Sequence, residues 1–105
     1  MSSTREIGIE DFATVRPSGT VIDVREPREY AVGHVCGAVL IPMGQLTARM
    51  KELDRSRPVY VICATGNRSL AMADLLHRAG FDAWSVAGGT NAWVRSNRPV
   101  EGDLR

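Results

Sequence analysis

The sequence predicts an α/β fold, with a central parallel sheet of four to five strands and helices on both faces. Short apolar runs rich in β-branched side chains are typical of strands that are covered on both sides. Stretches with helical periodicity separate these runs, and strands that alternate with helices form parallel crossovers. A length of 105 residues allows one domain with a single core and is too short for two. We therefore expect residues 1–105 to form one domain, with frayed ends at residues 1–4 and 102–105.

The individual elements follow from local patterns. The clearest helix covers residues 69–79, because Met72, Leu75 and Leu76 fall on one face and Gly80 follows as a residue that ends helices. Pro27 fits the first position of another helix. The predicted strands cover residues 20–24, 38–41, 59–62 and 83–86, with a fifth near Ile7. The predicted helices cover residues 9–15, 27–32, 44–53, 69–79 and about 90–96.

Composition disfavours several classes of function. The net charge is +1 and is spread along the chain, so there is neither the basic stripe of a nucleic-acid-binding protein nor an acidic tail. The apolar runs are too short to span a membrane, and residues 1–6 lack the apolar stretch of a signal peptide, so we expect a cytoplasmic protein. The two cysteines, Cys36 and Cys63, lack the spacing of a zinc site or a redox motif. We expect no metal and no cofactor.

The predicted reactive residue is Cys63, which follows the apolar strand 59–62. In a parallel sheet, ligands bind at the carboxyl ends of the strands, where this residue lies. The loop after it and the first helical turn offer backbone N–H groups without internal partners, and these would stabilise a thiolate and bind an anion. We assign Cys63 as the nucleophile and six loop residues as the anion-binding group: Ala64, Thr65, Gly66, Asn67, Arg68 and Ser69.

Two loop residues have specific expected roles. Arg68 would add a permanent cation close to the sulfur and lower its pKa, with a solvated charge at a helix start as the alternative. Gly66 would supply the backbone freedom that a short loop needs. An exposed thiolate of this kind would be prone to overoxidation. The alternative for Cys63, a small buried hydrophobe at the end of a strand, is disfavoured by the polar residues that follow it.

Other polar residues fit structural roles better than catalytic ones. His77 lies about 13 Å beyond Arg68 along the predicted helix, out of reach of the sulfur. We expect His34 to form structural hydrogen bonds, so a Cys-His protease is disfavoured. Asp23 and Arg25 end a strand on the side of the loop, and a structural ion pair is favoured over a place at the border of the site.

Four segments of the chain resemble the single-domain rhodanese family of sulfurtransferases: residues 21–30 (VIDVREPREY), 33–38 (GHVCGA), 63–69 (CATGNRS) and 86–93 (VAGGTNAW). The resemblance implies a rhodanese-like domain and a thiosulfate sulfurtransferase activity. In such an enzyme Cys63 would accept the outer sulfur of a small anionic donor such as thiosulfate. The resulting persulfide would pass that sulfur to cyanide or to a thiol, including a thiol of a partner protein. The loop fits this chemistry, because thiolate and persulfide are both anions.

The chain departs from the family pattern at two positions. Cys36 replaces a proline, and the predicted crossover puts it at the opposite end of the sheet from Cys63. We therefore expect a half-buried bystander rather than a resolving thiol. Asn97 stands where related chains often have glycine, which leaves the turn geometry before Pro99 open. Gly88 and Gly89 are assigned to the turn before the last helix, close to the active loop. Trp84 and Trp93 are assigned to packing.

Three other functions remain as alternatives. Phosphatases and arsenate reductases of related fold use a C-x5-R loop for a tetrahedral oxyanion, whereas Cys63 and Arg68 form C-x4-R, a shorter loop that suits sulfur better than phosphate. A non-catalytic docking module is disfavoured because degenerate copies typically lack the cysteine. A persulfide carrier for a partner enzyme lies between these classes, and the sequence does not separate it from a free-standing enzyme.

Overall fold

A computed structural model describes residues 5–103, over which the chain forms an α/β fold. Residues 1–4 and 104–105 of the predicted frayed ends lie outside the described part. The strands are β1 (Glu6–Ile7), β2 (Thr20–Asp23), β3 (His34–Val35), β4 (Val39–Leu40), β5 (Val59–Ile62), β6 (Ala83–Val86) and β7 (Val100–Glu101). The α-helices are α1 (Ile9–Val15), α2 (Pro27–Val32), α3 (Leu46–Arg49), α4 (Asn67–Arg78) and α5 (Gly89–Arg95). Short 3-10 turns cover Arg16–Ser18, Met43–Gln45 and Met50–Glu52.

Five strands form a parallel sheet in the order β1-β6-β5-β2-β4. β5 lies in the middle of this sheet, with Val61 paired to Ile22 on one side and to Ser85 on the other. The predicted parallel sheet is confirmed, and so is the fifth strand near Ile7, which pairs with β6. Cys63, the residue after β5, therefore leaves the sheet at the centre of its carboxyl edge.

The residues of β5 alternate between two cores, one on each face of the sheet. Val61 packs in a core that includes Leu76 of α4, and Ile62 packs in the opposite core with Phe12 of α1 and Trp93 of α5. All four residues of β5 are buried, which explains why the strand has no polar alternation. The predicted helices on both faces and the packing role of Trp93 are confirmed.

The helix predicted at residues 44–53 is wrong as a single element. The structure instead divides this stretch among two 3-10 turns and the four-residue α3. Leu46 is the one fully buried residue of α3, and a helix with so little packing has little to stabilise further turns. By contrast, α4 begins two residues earlier than predicted, at Asn67, and Gly80 follows its end with a φ of +97° as the sequence indicates.

A two-stranded antiparallel pair, β3 with β7, was not predicted. It aligns His34 with Glu101 and brings the chain after α5 back beside α2. Asn97 adopts the left-handed conformation, with a φ of 60°, that glycine adopts readily and asparagine tolerates. The Asp103 N–H donates to the Ala31 carbonyl at 3.0 Å, so residues 102 and 103 are tied to α2, in contrast to the frayed end expected there.

Candidate active site

Cys63 begins a tight loop that joins the centre of the sheet to α4. Gly66 closes this loop with a φ of +106°, a conformation that L side chains rarely adopt. A Cβ atom at Gly66 would also lie 3.3 Å from the backbone nitrogen of Gly88, which belongs to the turn before α5. The backbone freedom expected of Gly66 is therefore used, and the loop curls back over the sulfur.

Three polar groups surround the Cys63 sulfur at hydrogen-bonding distance. The backbone N–H of Gly66 donates to Sγ at 3.1 Å and the backbone N–H of Ser69 donates at 3.3 Å. The Ser69 hydroxyl lies 3.3 Å from the same atom, so it accepts from a thiol and can donate to a thiolate. These contacts form the ring of donors that the sequence predicts for this loop.

Ser85 extends this network and was missed by the sequence analysis. Its hydroxyl lies 2.8 Å from the Ser69 hydroxyl, and both side chains are fully buried. When Ser69 donates to a thiolate, Ser85 can donate to Ser69 in turn. The available signal was a serine within the apolar run of a predicted strand beside β5.

The sulfur environment lowers the pKa of Cys63. Burial is the largest single influence and raises the pKa, because it disfavours the charged form. Hydrogen bonds from the Ser69 hydroxyl and from the backbone N–H groups of Ser69, Gly66 and Thr65 act in the opposite direction and together outweigh burial. The net direction favours a thiolate.

The expectation of an exposed thiol is wrong. Only 1% of the Cys63 surface is exposed, and the residue packs within the same core as Val61 and Ala73. The loop produces this burial because it folds over the sulfur to bring its N–H groups within reach. What separates Cys63 from an inert core cysteine is therefore the hydrogen bonding of its sulfur and not its accessibility.

Arg68 is paired with a carboxylate that the sequence analysis did not anticipate. Its two terminal nitrogens donate to the two carboxylate oxygens of Glu29 on α2, at 2.9 and 3.0 Å. The hydrogen bonds from Arg68 lower the pKa of Glu29 to about 2, so that Glu29 stays ionised. The hydrogen bonds to Glu29 are the main cause of the raised pKa of Arg68, and the negative charge of Cys63 adds to it. The Arg68 guanidinium is part of the loop region, but both of its terminal nitrogens are already hydrogen-bonded to Glu29.

The other loop residues contribute mainly through their backbone. The side chains of Thr65 and Asn67 are exposed and Ala64 is half-buried. The Ala64 carbonyl accepts from the Asn91 N–H at 3.0 Å, and the Cys63 carbonyl accepts from the Thr90 N–H at 2.8 Å. The start of α5 is therefore bonded directly to the loop.

Gly89 permits this close approach between α5 and the loop. Its φ is +60°, and a Cβ atom there would lie 2.5 Å from the Cys63 carbonyl oxygen. The prediction that the glycine pair at 88–89 brings backbone against the loop is confirmed. Beyond it, the Thr90 hydroxyl is buried and has no hydrogen-bond partner among residues 5–103.

Asp23 and Arg25 form the structural ion pair that the sequence favours. The guanidinium donates to both carboxylate oxygens of Asp23, at 2.8 to 3.1 Å, and also to the Gly33 carbonyl at 2.7 Å. Both residues are buried, with 5% or less of their surface exposed. The pair fixes the chain after β2 against the chain after α2.

The two histidines lie outside the sulfur's contacts. The Nδ1–H of His34 donates to the Tyr30 carbonyl at 2.7 Å, and its ring stacks on that of Tyr30 at a centroid distance of 3.6 Å. His77 is exposed on α4. Among residues 5–103, no group of three or more His, Cys, Asp or Glu side chains could hold a metal ion. No helix in that range has the length and apolar character to cross a membrane.

Cys36 follows β3 and is half-buried, as predicted. Its backbone N–H donates to the Pro99 carbonyl at 3.4 Å. The Gly37 N–H is the main group that lowers the pKa of Glu101, and the Cys36 side chain adds to that effect. These partners belong to the antiparallel pair and not to the Cys63 loop. Both cysteines are free thiols.

A pocket of about 320 Å³ lies between α2 and α5, and two of its lining residues, Thr90 and Asn91, are the ones whose N–H groups donate to the loop. Glu29 forms part of its wall together with Arg25, so the ion pairs described above border it. The other side chains that line the pocket belong to these two helices: Val32, Thr90, Asn91, Val94 and Arg95. The pocket therefore offers an organic molecule both apolar and charged surface beside the sulfur loop.

A cysteine whose sulfur is ringed by N–H donors at the carboxyl edge of a parallel sheet defines an anion-stabilising thiolate loop. The chain belongs to the rhodanese-like domain family, whose family model matches residues 9–96. This family is of the sulfurtransferase type. Sequence and structure thus agree on the family that the four motifs indicate.

Similar proteins support the same assignment. An uncharacterized protein of Bacillus subtilis is 36% identical over 85 residues, which cover 80% of this chain and 68% of that protein. A rhodanese-related protein of Thermoplasma volcanium is 36% identical, with a TM-score of 0.89 over 96% of this chain and 99% of the other. The rhodanese-like domain of an Anabaena protein is 28% identical, with a TM-score of 0.86 over 97% and 82% of the two chains.

Proposed function

We propose that this protein is a sulfurtransferase that moves sulfane sulfur from a donor such as thiosulfate to a thiol or cyanide through a persulfide on Cys63. The observation that carries the proposal is the pair of hydrogen bonds that the Cys63 sulfur receives from the backbone N–H groups of Gly66 and Ser69. These groups stabilise negative charge on sulfur, and both forms of the residue in this cycle, thiolate and persulfide, are anionic.

In the first step the Cys63 thiolate attacks the outer sulfur of thiosulfate. A new S–S bond forms at Cys63, the S–S bond of thiosulfate breaks, and its electron pair leaves with sulfite. In the second step cyanide attacks the outer sulfur of the persulfide, thiocyanate forms, and the electron pair of the S–S bond returns to the Cys63 thiolate. Such covalent relay divides one transfer into two easier steps and needs no cofactor.

The geometry favours this chemistry over phosphate transfer. A phosphatase loop uses its arginine to bind a tetrahedral oxyanion, whereas the Arg68 fork is already bonded to Glu29. The Cys63 ring is also small, with its donors 3.1 to 3.3 Å from the sulfur itself. Donors at this distance stabilise negative charge on the sulfur.

Intact-mass measurement tests the proposal. After incubation with thiosulfate, we expect the protein to gain one sulfur atom and to lose it on addition of cyanide, with formation of thiocyanate. Cys63→Ser should gain no sulfur, while Cys36→Ser, the matched control at the other cysteine, should behave like the parent protein. An unchanged mass in the parent protein, or a gain that survives in Cys63→Ser, would refute the proposal.

A further inference from the structure

The charge balance around the Cys63 loop depends on Glu29. Arg68, at the start of α4, is held by Glu29, and Arg25, which lines the pocket, is held by Asp23. The positive charge that Arg68 brings toward the sulfur is therefore offset by a negative charge bonded to the same guanidinium. The hydrogen bonds from Arg68 lower the pKa of Glu29 to about 2, so this offset persists at neutral pH.

Glu29 is also accessible to solvent on the side of the pocket. It lines the pocket between α2 and α5, and about a third of its side chain is exposed. Val32 and Val94 line the same pocket, and Val32 is 55% exposed. An incoming donor with an organic group can cover this apolar surface, while any negative charge on the donor is repelled by Glu29.

We propose that Glu29 is a specificity-determining residue, which biases the Cys63 site toward singly charged sulfane-sulfur donors with an organic group and against the thiosulfate dianion. This inference rests on the proposed function and names its donor class. Organic persulfides and organic thiosulfonates belong to that class. Arg95 lines the pocket as well and, by the same charge argument, favours the dianion, so the bias is defined as the change that Glu29 makes to the donor preference.

The reactions of the two donor types differ in charge but not in mechanism. With thiosulfate, the thiolate and a dianion combine, and the outer sulfur moves to Cys63 while sulfite leaves with two charges. With an organic thiosulfonate, R–SO2–S⁻, the same S–S bond breaks and the sulfinate R–SO2⁻ leaves with one charge. Glu29 therefore acts against one additional unit of charge when the donor is thiosulfate. In water, one unit of charge within the Debye length of about 8 Å at physiological salt changes a rate roughly two- to threefold.

The test compares kcat/KM for thiosulfate and for methanethiosulfonate in the parent protein and in Glu29→Gln. Glutamine keeps an oxygen that can accept the Glu26 N–H bond, which is 2.9 Å in the parent protein, so α2 should remain folded. We expect the thiosulfate to methanethiosulfonate ratio to rise about threefold in Glu29→Gln and to be unchanged in Glu10→Gln. Glu10 supplies the matched control because it is an exposed glutamate on α1. An unchanged ratio in Glu29→Gln, or an equal rise in Glu10→Gln, would overturn the inference.

A second readout does not depend on sulfur transfer. Iodoacetate is an anion and iodoacetamide is neutral, and both alkylate a thiolate. The ratio of their rates at Cys63 should rise about threefold in Glu29→Gln and fall in Arg68→Gln, where Glu29 is left without its partner. Both changes should shrink at high salt. If Glu29→Gln speeds both reagents equally, the residue blocks access without sensing charge, and the inference is wrong. Should no donor load Cys63, the proposed function fails while this ratio still tests Glu29.

Discussion

Removal of the Ser69 hydroxyl should raise the pKa of Cys63 by about one unit. The substitution Ser69→Ala deletes the contact at 3.3 Å from Sγ and keeps the backbone N–H that also binds the sulfur. A hydrogen bond to a charged group contributes about 1.5–3 kcal/mol, and the length of this contact places it at about the lower end. Since one pKa unit corresponds to about 1.4 kcal/mol, the loss translates into roughly one unit.

The assay is the rate of alkylation by iodoacetamide as a function of pH, measured in a Cys36→Ser background so that only Cys63 reacts. Below both pKa values, the Ser69→Ala protein should react about tenfold more slowly than its parent, because it holds about tenfold less thiolate. Ser85→Ala is the matched control, since it removes only the hydroxyl behind Ser69 and should give a smaller shift. If Ser69→Ala titrates at the same pH as its parent, the hydroxyl does not stabilise the thiolate and the reasoning fails.

Three further predictions concern stability. Gly89→Ala must place a Cβ against the loop backbone at a φ of +60° and should lower the free energy of unfolding by about 1–3 kcal/mol in urea titration, whereas Gly44→Ala, with open space around it, should have little effect. Asp23→Ala leaves a buried guanidinium unpaired and should cost about 3–5 kcal/mol, whereas Asp74→Ala at an exposed ion pair should cost under about 1 kcal/mol. Because the pKa of Glu29 is lowered in the folded protein, its ionisation contributes fully to stability above the ordinary pKa of 4.5, and this contribution is lost as the pH falls toward about 2. Thermal unfolding measured over this pH range should show the loss in the parent protein and not in Glu29→Gln.

The sheet was predictable because its strands are short, apolar and buried on both sides. β5 has four buried residues in succession, and α4 has an apolar stripe with a terminating glycine, so each local pattern agrees with the final fold. The β3–β7 pair has two residues in each strand, too few for any periodicity to be read. Residues 44–53 show the converse, a helical pattern without enough buried surface to hold a continuous helix.

The donor ring around the Cys63 sulfur was predictable for a different reason. A polar loop directly after a buried strand leaves N–H groups free at the sheet edge, and this follows from Cys63, Gly66 and Ser69 alone. The partner of Arg68 was not predictable, since Glu29 is 39 residues away in sequence and meets it only through the fold. Ser85 was missed for the same reason, because its contact with Ser69 depends on how β6 aligns with β5.

The central claim is that Cys63 holds negative charge on its sulfur more readily than free cysteine does. Ultraviolet absorbance of the thiolate, titrated with pH in the Cys36→Ser protein, measures this ionisation directly. The account predicts an apparent pKa below the value of about 8.5 that is usual for a free cysteine. An apparent pKa at or above that value would show that burial outweighs the hydrogen bonds, and would contradict the account.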